Sequence, residues 1–288
     1  MDTSALDIRD WPVLRKPVFV IGFGGWGNAL NVARATASYL AHQAGSHCFG
    51  NLKRDLFFRY DQDRPTVTIE NGLMHSIKFA EGGLFASSQP AIDRDLVVLV
   101  TEEPHLAWEK FTDQVINIAL IIGASELISL GSMYDGVLHT DTLVSGIASS
   151  ASHLKELESF NIRPITYHGS TAIHAILHRK ACERSLKACS LWTHCPYYLE
   201  GTSHPGLIAA TVDTVARMLG LTVDTQDLAG EWERLKTDIQ GAIEENPKLQ
   251  KLIGELRRAK VRGAWAKRPD QGRKTDKVIR LKDFRDLS

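Results

Sequence analysis

Apolar and polar positions along the chain alternate between two kinds of pattern. Val18-Phe19-Val20-Ile21 is a continuous apolar run, and Leu96-Val97-Val98-Leu99-Val100 is another. Short runs of this kind, bounded by turn residues, predict strands buried on both faces. After the first run, Leu30, Ala33, Ala37 and Leu40 fall on one stripe of a helix. Between strand and helix stands Gly22-Phe23-Gly24-Gly25-Trp26-Gly27-Asn28, so residues 17–43 open a βαβ unit. Asn28 is placed to cap the helix, whose free amides favour an anion or a carbonyl.

The same reading places strands over 46–50, 56–60, 95–101, 125–131, 164–168 and 187–193, and helices over 107–122, 151–159, 170–184 and 205–219. Segments 66–70 and 73–77 flank Asn71-Gly72, the strongest short hairpin signal, which sets Ile69 opposite Met74. That hairpin interrupts the strand and helix rhythm. The expected fold is therefore α/β, a three-layer α/β/α sandwich around a mixed, mostly parallel sheet. From Gln226 onward, Leu228, Trp232, Leu235, Ile239 and Ala242 step by 4, 3, 4 and 3; beyond Pro247, Leu249, Leu252, Ile253 and Leu256 continue. This predicts a C-terminal helical hairpin, whose apolar stripe must dock on the main domain or on another subunit. The expected organisation is an α/β domain over 1–225, the hairpin over 226–260 and a basic, flexible tail over 261–288.

Composition narrows the class. A chain of 288 residues can bury a full core, and 43% hydrophobic with 24% charged residues is ordinary for a globular protein. The first residues lack the apolar core of a signal peptide, and the longest apolar run, 115–124, is too short to span a bilayer. Cys48, Cys182, Cys189 and Cys195 are too scattered for a disulfide framework and form no Cys-x-x-Cys pair. They read as thiols of a reducing cytoplasm. Net charge is +0, yet residues 257–288 hold 12 Lys and Arg against 4 Asp, net +8. Without a base-stacking or helix-turn-helix signature, this tail reads as a solvated terminus and not as a nucleic-acid arm.

Candidate chemistry centres on the glycine turn. Gly22, Gly24 and Gly27 fit the dinucleotide spacing, but that site needs an acid about 20 positions further on. His47 and Cys48 stand there, Asp55 comes late, and Trp26 is bulky for a turn that must approach a pyrophosphate. No Lys follows the last glycine, which excludes a phosphate-loop NTPase. The remaining alternatives are a turn that packs helix on sheet, or a recognition surface centred on Trp26. Ligands of open α/β sheets bind beyond the carboxyl ends of the strands. Segments 22–28, 102–105, 134–140, 168–171 and 193–198 each follow a strand, so they are expected to share one rim.

The rim candidates are Phe23, Gly24, Gly25, Trp26, Gly27 and Asn28 from the first turn, with Glu103, His105 and Trp108 from the second. Tyr134, His139 and Thr140 come from the third segment, Gly169, Ser170 and Thr171 from the fourth, and Trp192 and Tyr197 from the last. Large amphipathic rings at a surface are favoured interface anchors. A catalytic triple can be written from Ser170, His139 and Asp135, but no Gly-x-Ser-x-Gly turn accompanies it. His174 and His178 share a helix face, while position 175 is Ala and not the Glu of a zinc-protease helix. Neither a metal nor a cofactor is expected.

These segments carry a family resemblance. Gly22-Phe23-Gly24-Gly25-Trp26-Gly27-Asn28-Ala29 resembles the opening signature of the proteasome assembly chaperone family, the branch named for chaperone two. Arg64-Pro65, Asn71-Gly72, Glu103-Pro104 with Trp108, Leu130-Gly131 with His139-Thr140, and Leu191-Trp192 with Pro196-Tyr197-Tyr198 continue the resemblance in order over residues 14–256. The segment Leu138-His139-Thr140-Asp141-Thr142 departs from the family's pattern by losing a basic residue. The resemblance implies a phosphorylase/hydrolase-like domain acting as a non-enzymatic scaffold or assembly chaperone. Its partners would be proteins, proteasome subunits among them, and self-association, trimers included, would be expected. The alternative is a small-ligand enzyme (hydrolase, phosphorylase or nucleotide-dependent ligase) using the same rim.

Overall fold

The computed structural model describes residues 3–79, 82–89 and 91–261; the basic tail expected over 261–288 lies almost entirely outside them. Strand β1 (Leu6–Ile8) and strand β2 (Val18–Phe23) precede helix α1 (Val32–Gln43) and strand β3 (His47–Leu52). Next come β4 (Thr66–Glu70), β5 (Leu73–Lys78), β6 (Gly83–Ser87), β7 (Leu96–Thr101), α2 (Trp108–Ile121) and β8 (Glu126–Asp135). The chain continues through β9 (Val144–Ala148), α3 (Ala151–Ser159), β10 (Arg163–Pro164), α4 (Ile173–Glu183) and β11 (Ala188–Pro196). It closes with α5 (Pro205–Leu219), α6 (Gln226–Glu245) and α7 (Pro247–Val261).

A nine-stranded sheet in the order β1-β3-β6-β7-β2-β8-β11-β9-β10 forms the middle layer. Residues of β2 divide by parity: Val18 and Val20 face the core shared with α1, α5, α6 and α7, whereas Phe19, Ile21 and Phe23 face α2 and α4. The three-layer α/β/α reading therefore holds. The expectation of a mostly parallel sheet does not. Parallel pairing joins β7, β2, β8 and β11 at the centre, and β9 with β10. Antiparallel ladders join β1 to β3, β3 to β6, β6 to β7 and β9 to β11, as many pairs as the parallel ones. The link from Ser87 to Leu96 is too short for a crossover helix, which forces β6 to lie antiparallel to β7.

Several sequence boundaries shift for tertiary reasons. Gly83 opens β6, a strand outside those expected from the sequence, and Val144–Ala148 becomes a strand through pairing with β11. Segment 56–60 is not a strand, and β10 shrinks to Arg163–Pro164, where proline blunts the sheet edge. Helices α6 and α7 form the expected hairpin. Leu228, Leu235, Ile239, Ile243, Leu249 and Ile253 join the same core as the sheet, so the hairpin docks on its own main domain. Strands β4 and β5 form a separate two-stranded sheet, with Ile69 opposite Met74 as the turn predicts and Asn71 and Gly72 both at positive φ. No described helix is long and apolar enough to cross a membrane.

Two buried imidazoles knit the layers together in their neutral form. His174 donates from Nε2 to the Leu130 carbonyl at 2.8 Å, and its Nδ1 has no hydrogen-bond partner among the described residues. His204 caps α5 by accepting from the Leu207 amide at Nδ1, while Nε2 donates to the His139 carbonyl. Burial pushes both down to about 4. A base with a depressed folded pKa stabilises the fold above its unfolded value of about 6.5 and loses that contribution as pH falls toward 4. The unfolding free energy from denaturant titrations should accordingly decrease as pH is lowered from 6.5 to 4, with a slope approaching about 1.4 kcal/mol per pH unit for each group. His174→Gln should remove its share of that slope.

Gly22 supplies a second check. A Cβ there would collide with the Ala37 side chain and sit 2.8 Å from the Ala33 carbonyl oxygen. Gly22→Ala should cost about 1–3 kcal/mol in urea unfolding, because α1 must lift off β2.

Candidate functional site

The four central strands point their carboxyl ends to one edge, and the glycine turn sits in its middle. The Gly24 amide donates to the Thr101 carbonyl at 2.8 Å, and Gly25 takes a φ of 77°. Two successive 3-10 turns, Gly25–Gly27 and Ala29–Asn31, then lead into α1. Asn28 does not occupy the cap position itself, which falls to Asn31. Its side-chain oxygen nonetheless accepts from the Arg34 amide at 3.1 Å, inside the first turn of α1. Asn28 also bridges Ser132, whose hydroxyl donates to the Ala29 carbonyl, so the turn is tied to β8.

The two acids after β7 both turn back onto this loop. Glu102 lies where a side chain on Gly24 would go and pairs with Arg34 of α1 at 2.7 Å. Glu103 accepts from the Ile173 amide at the start of α4 (2.8 Å) and from the Trp26 amide (3.4 Å). Burial pushes the Glu103 carboxyl up, and the two amides oppose that shift. The protein's own carboxylate thus fills the place where an anion would sit between the glycine turn and a helix start. A phosphate would have to displace it.

Over this clamp Trp26 is 63% exposed, whereas Trp108 and Trp192 are half-buried. Trp108 donates from Nε1 to the Pro104 carbonyl, and Trp192 packs beside Gly27, Gly131 and the His174 ring. His105 accepts from the Arg59 amide and lies 3.5 Å from Asp63. Gly169, Ser170 and Thr171 are exposed in the loop that enters α4. Phe23 is fully buried against Phe111 and His174, a core position and not a surface one.

Among the remaining rim candidates, His139 lies beneath the helical hairpin. Trp232 of α6 stacks on His204 at 4.6 Å and lies 6.4 Å from His139. His139 is buried: its amide donates to the Tyr198 hydroxyl at 2.7 Å, and Nδ1 lies 2.8 Å from the same oxygen. Tyr134 and Tyr197 are half-buried and Thr140 is exposed. Lys260 of α7 pairs with Asp141. The rim is thus divided into an open half around Trp26 and a half roofed by α6 and α7.

The triple of Ser170, His139 and Asp135 is not assembled, since His139 is engaged with Tyr198 and Asp135 pairs with His194 at 2.7 Å. One group with metal-ligand character occurs among the described residues, Glu126, His153 and Cys189, at the opposite ends of β8 and β11. Its carboxylate already faces His153 at 2.9 Å and the Lys187 ammonium at 3.3 Å, so a cation is present within the fold. Sequence spacing had no means of finding Glu102 and Glu103 as the clamp, because their partners lie on α1, α4 and the glycine turn.

A proteasome-assembly chaperone homologue of Mycobacterium tuberculosis superposes with a TM-score of 0.74 at 23% identity, covering 82% of this chain and 99% of that one. A second M. tuberculosis protein, of unknown function, gives 0.81 at 20% identity over 92% and 91% of the two chains. An archaeal proteasome activator of Pyrococcus furiosus gives 0.66 at 14% identity over 82% and 97%. At these identities the likeness is one of fold. No curated protein matches the chain. The model of the PAC2 family matches residues 20–243, and the chain belongs to that family.

Proposed function

We propose that the chain is a cytoplasmic assembly scaffold that grips protein partners through the open half of its rim, with Trp26 as the anchor. The observation that carries this reading is a large aromatic ring held in solvent on a turn that Glu102 and Glu103 fix from below. A ring presented on a rigid backbone loses little entropy on binding, which favours it as a hot spot. Family membership and neighbours described as a proteasome-assembly chaperone homologue and a proteasome activator make proteasome subunits the first partners to test. Gripping, not turnover, is the work assigned to this turn.

Self-association belongs to the same reading. Val67, Ile69, Met74 and Ile77 share one face of the β4–β5 hairpin and are 44–67% exposed. A two-stranded hairpin is marginal alone, so an apolar face of this kind supports contact with a second copy, trimers included.

Trp26→Ala should leave the circular dichroism spectrum and melting temperature unchanged, and weaken capture of a proteasome α-subunit about 30-fold, the loss of about 2 kcal/mol of a hot spot. Unfolding of that variant, or undiminished capture, would remove the anchor from the scheme. Ile69→Lys combined with Met74→Lys should shift the mass measured by light scattering to that of a monomer.

A further inference from the structure

One face of the sheet brings three side chains into line that no sequence motif connects. Met133 of β8 stands beside His194 of β11, and Ser145 of β9 beside Trp192. Side chains two residues apart on a strand share a face, so Asp135, His194 and Ser145 meet as diagonal neighbours. Asp135 Oδ2 lies 2.7 Å from His194 Nδ1, and His194 Nε2 lies 2.8 Å from Ser145 Oγ. An ionised carboxylate only accepts, so Nδ1 carries the proton and Nε2 presents its lone pair. The Ser145 hydroxyl therefore donates to Nε2. Asp135 is oriented in turn by the Gly136 amide, which donates to Oδ1 at 2.7 Å.

We propose that Ser145 is an acyl-accepting nucleophile, with His194 as its general base and Asp135 holding the imidazole in the required tautomer. Nucleophile, base and orienting acid stand in the spatial order that defines such a relay on unrelated folds. Ser145 is 4% and His194 8% exposed, against 28% for the Asp135 side chain, so little of the relay meets solvent and only small acyl groups suit it. The exposed loop 166–171 leaves the sheet beside it, where the Ile165 amide donates to the Gly146 carbonyl. Ser145 lies between β11 and β10 in the sheet, not on a turn with free amides around it. Activated esters, which need less oxyanion stabilisation than amides, are the matching substrate class.

In the first step Ser145 Oγ bonds to the acyl carbon and passes its proton to Nε2. The ester carbon–oxygen bond then breaks, and the leaving alcohol takes that proton. Water next attacks the acyl-serine, gives its proton to Nε2, and the serine oxygen recovers it as the carboxylic acid departs. Asp135 stays ionised throughout. This chemistry goes beyond partner gripping and does not depend on it, since it uses none of the groups that clamp Trp26.

The full chain should be treated with a small fluorophosphonate and digested for mass spectrometry, with p-nitrophenyl acetate hydrolysis followed in parallel. A single phosphonyl adduct on Ser145 is expected, absent from Ser145→Ala. His194→Gln should slow both reactions about 100-fold or more, and Asp135→Asn should slow them as well, each with a melting temperature recorded as a folding control. Should one variant fail to fold, the other carries the comparison. Absence of an adduct, an adduct elsewhere, or equal rates in a folded His194 or Asp135 variant would overturn the assignment.

Discussion

Burial of both faces of the central strands is the constraint on which this architecture depends. Strands β7, β2, β8 and β11 lie parallel, and their connections carry the helices that cover them. Such strands cannot tolerate a wet face, because β2 and β7 are apolar on both sides and the polar side chains of β8 and β11 are mostly buried. Close approach of α1 to β2 follows, and with it the demand for a residue without a side chain at Gly22. Parallel strands also send all their carboxyl ends one way. The placement of Trp26, Glu102, Glu103 and Asp135 at a common edge is thus a consequence of the same burial.

What that edge can do is set by where its charges are spent. Glu102 is committed to Arg34, and Glu103 to the amides of Trp26 and Ile173. These contacts convert a flexible glycine turn into a fixed platform and use the amides that otherwise make helix starts anion sites. The platform keeps an aromatic ring in water. Further along the edge the commitment differs: Asp135 is held to an imidazole whose other nitrogen faces a hydroxyl. A binding surface and a nucleophile relay can therefore coexist on one sheet without sharing groups.

The helical hairpin adds a third element of control. Its core stripe is continuous with the main core, and Trp232 reaches over His204 and His139. Rim candidates from the sequence, such as His139, lie buried beside this contact. The hairpin thereby decides how much of the strand-end edge meets solvent. Physically this is the exchange of one apolar surface for another, which stabilises the docked hairpin and narrows the exposed site together.

The sequence by itself determined the features whose energetics are local. Asn71-Gly72 fixed the hairpin register, proline and leucine spacing fixed α5 and the α6–α7 pair, and continuous apolar runs marked β2 and β7. Ordered motifs from Gly22 to Tyr198 identified the family. Only the tertiary structure decided the rest. Strand β9 exists because β11 pairs with it, and Gly83 becomes strand because the link to β7 is short. Ser145, His194 and Asp135 are brought together by cross-strand register, and Glu103 meets Ile173 through the packing of α4. Contacts between residues tens of positions apart depend on which strands become neighbours, and no local pattern of side chains encodes that choice.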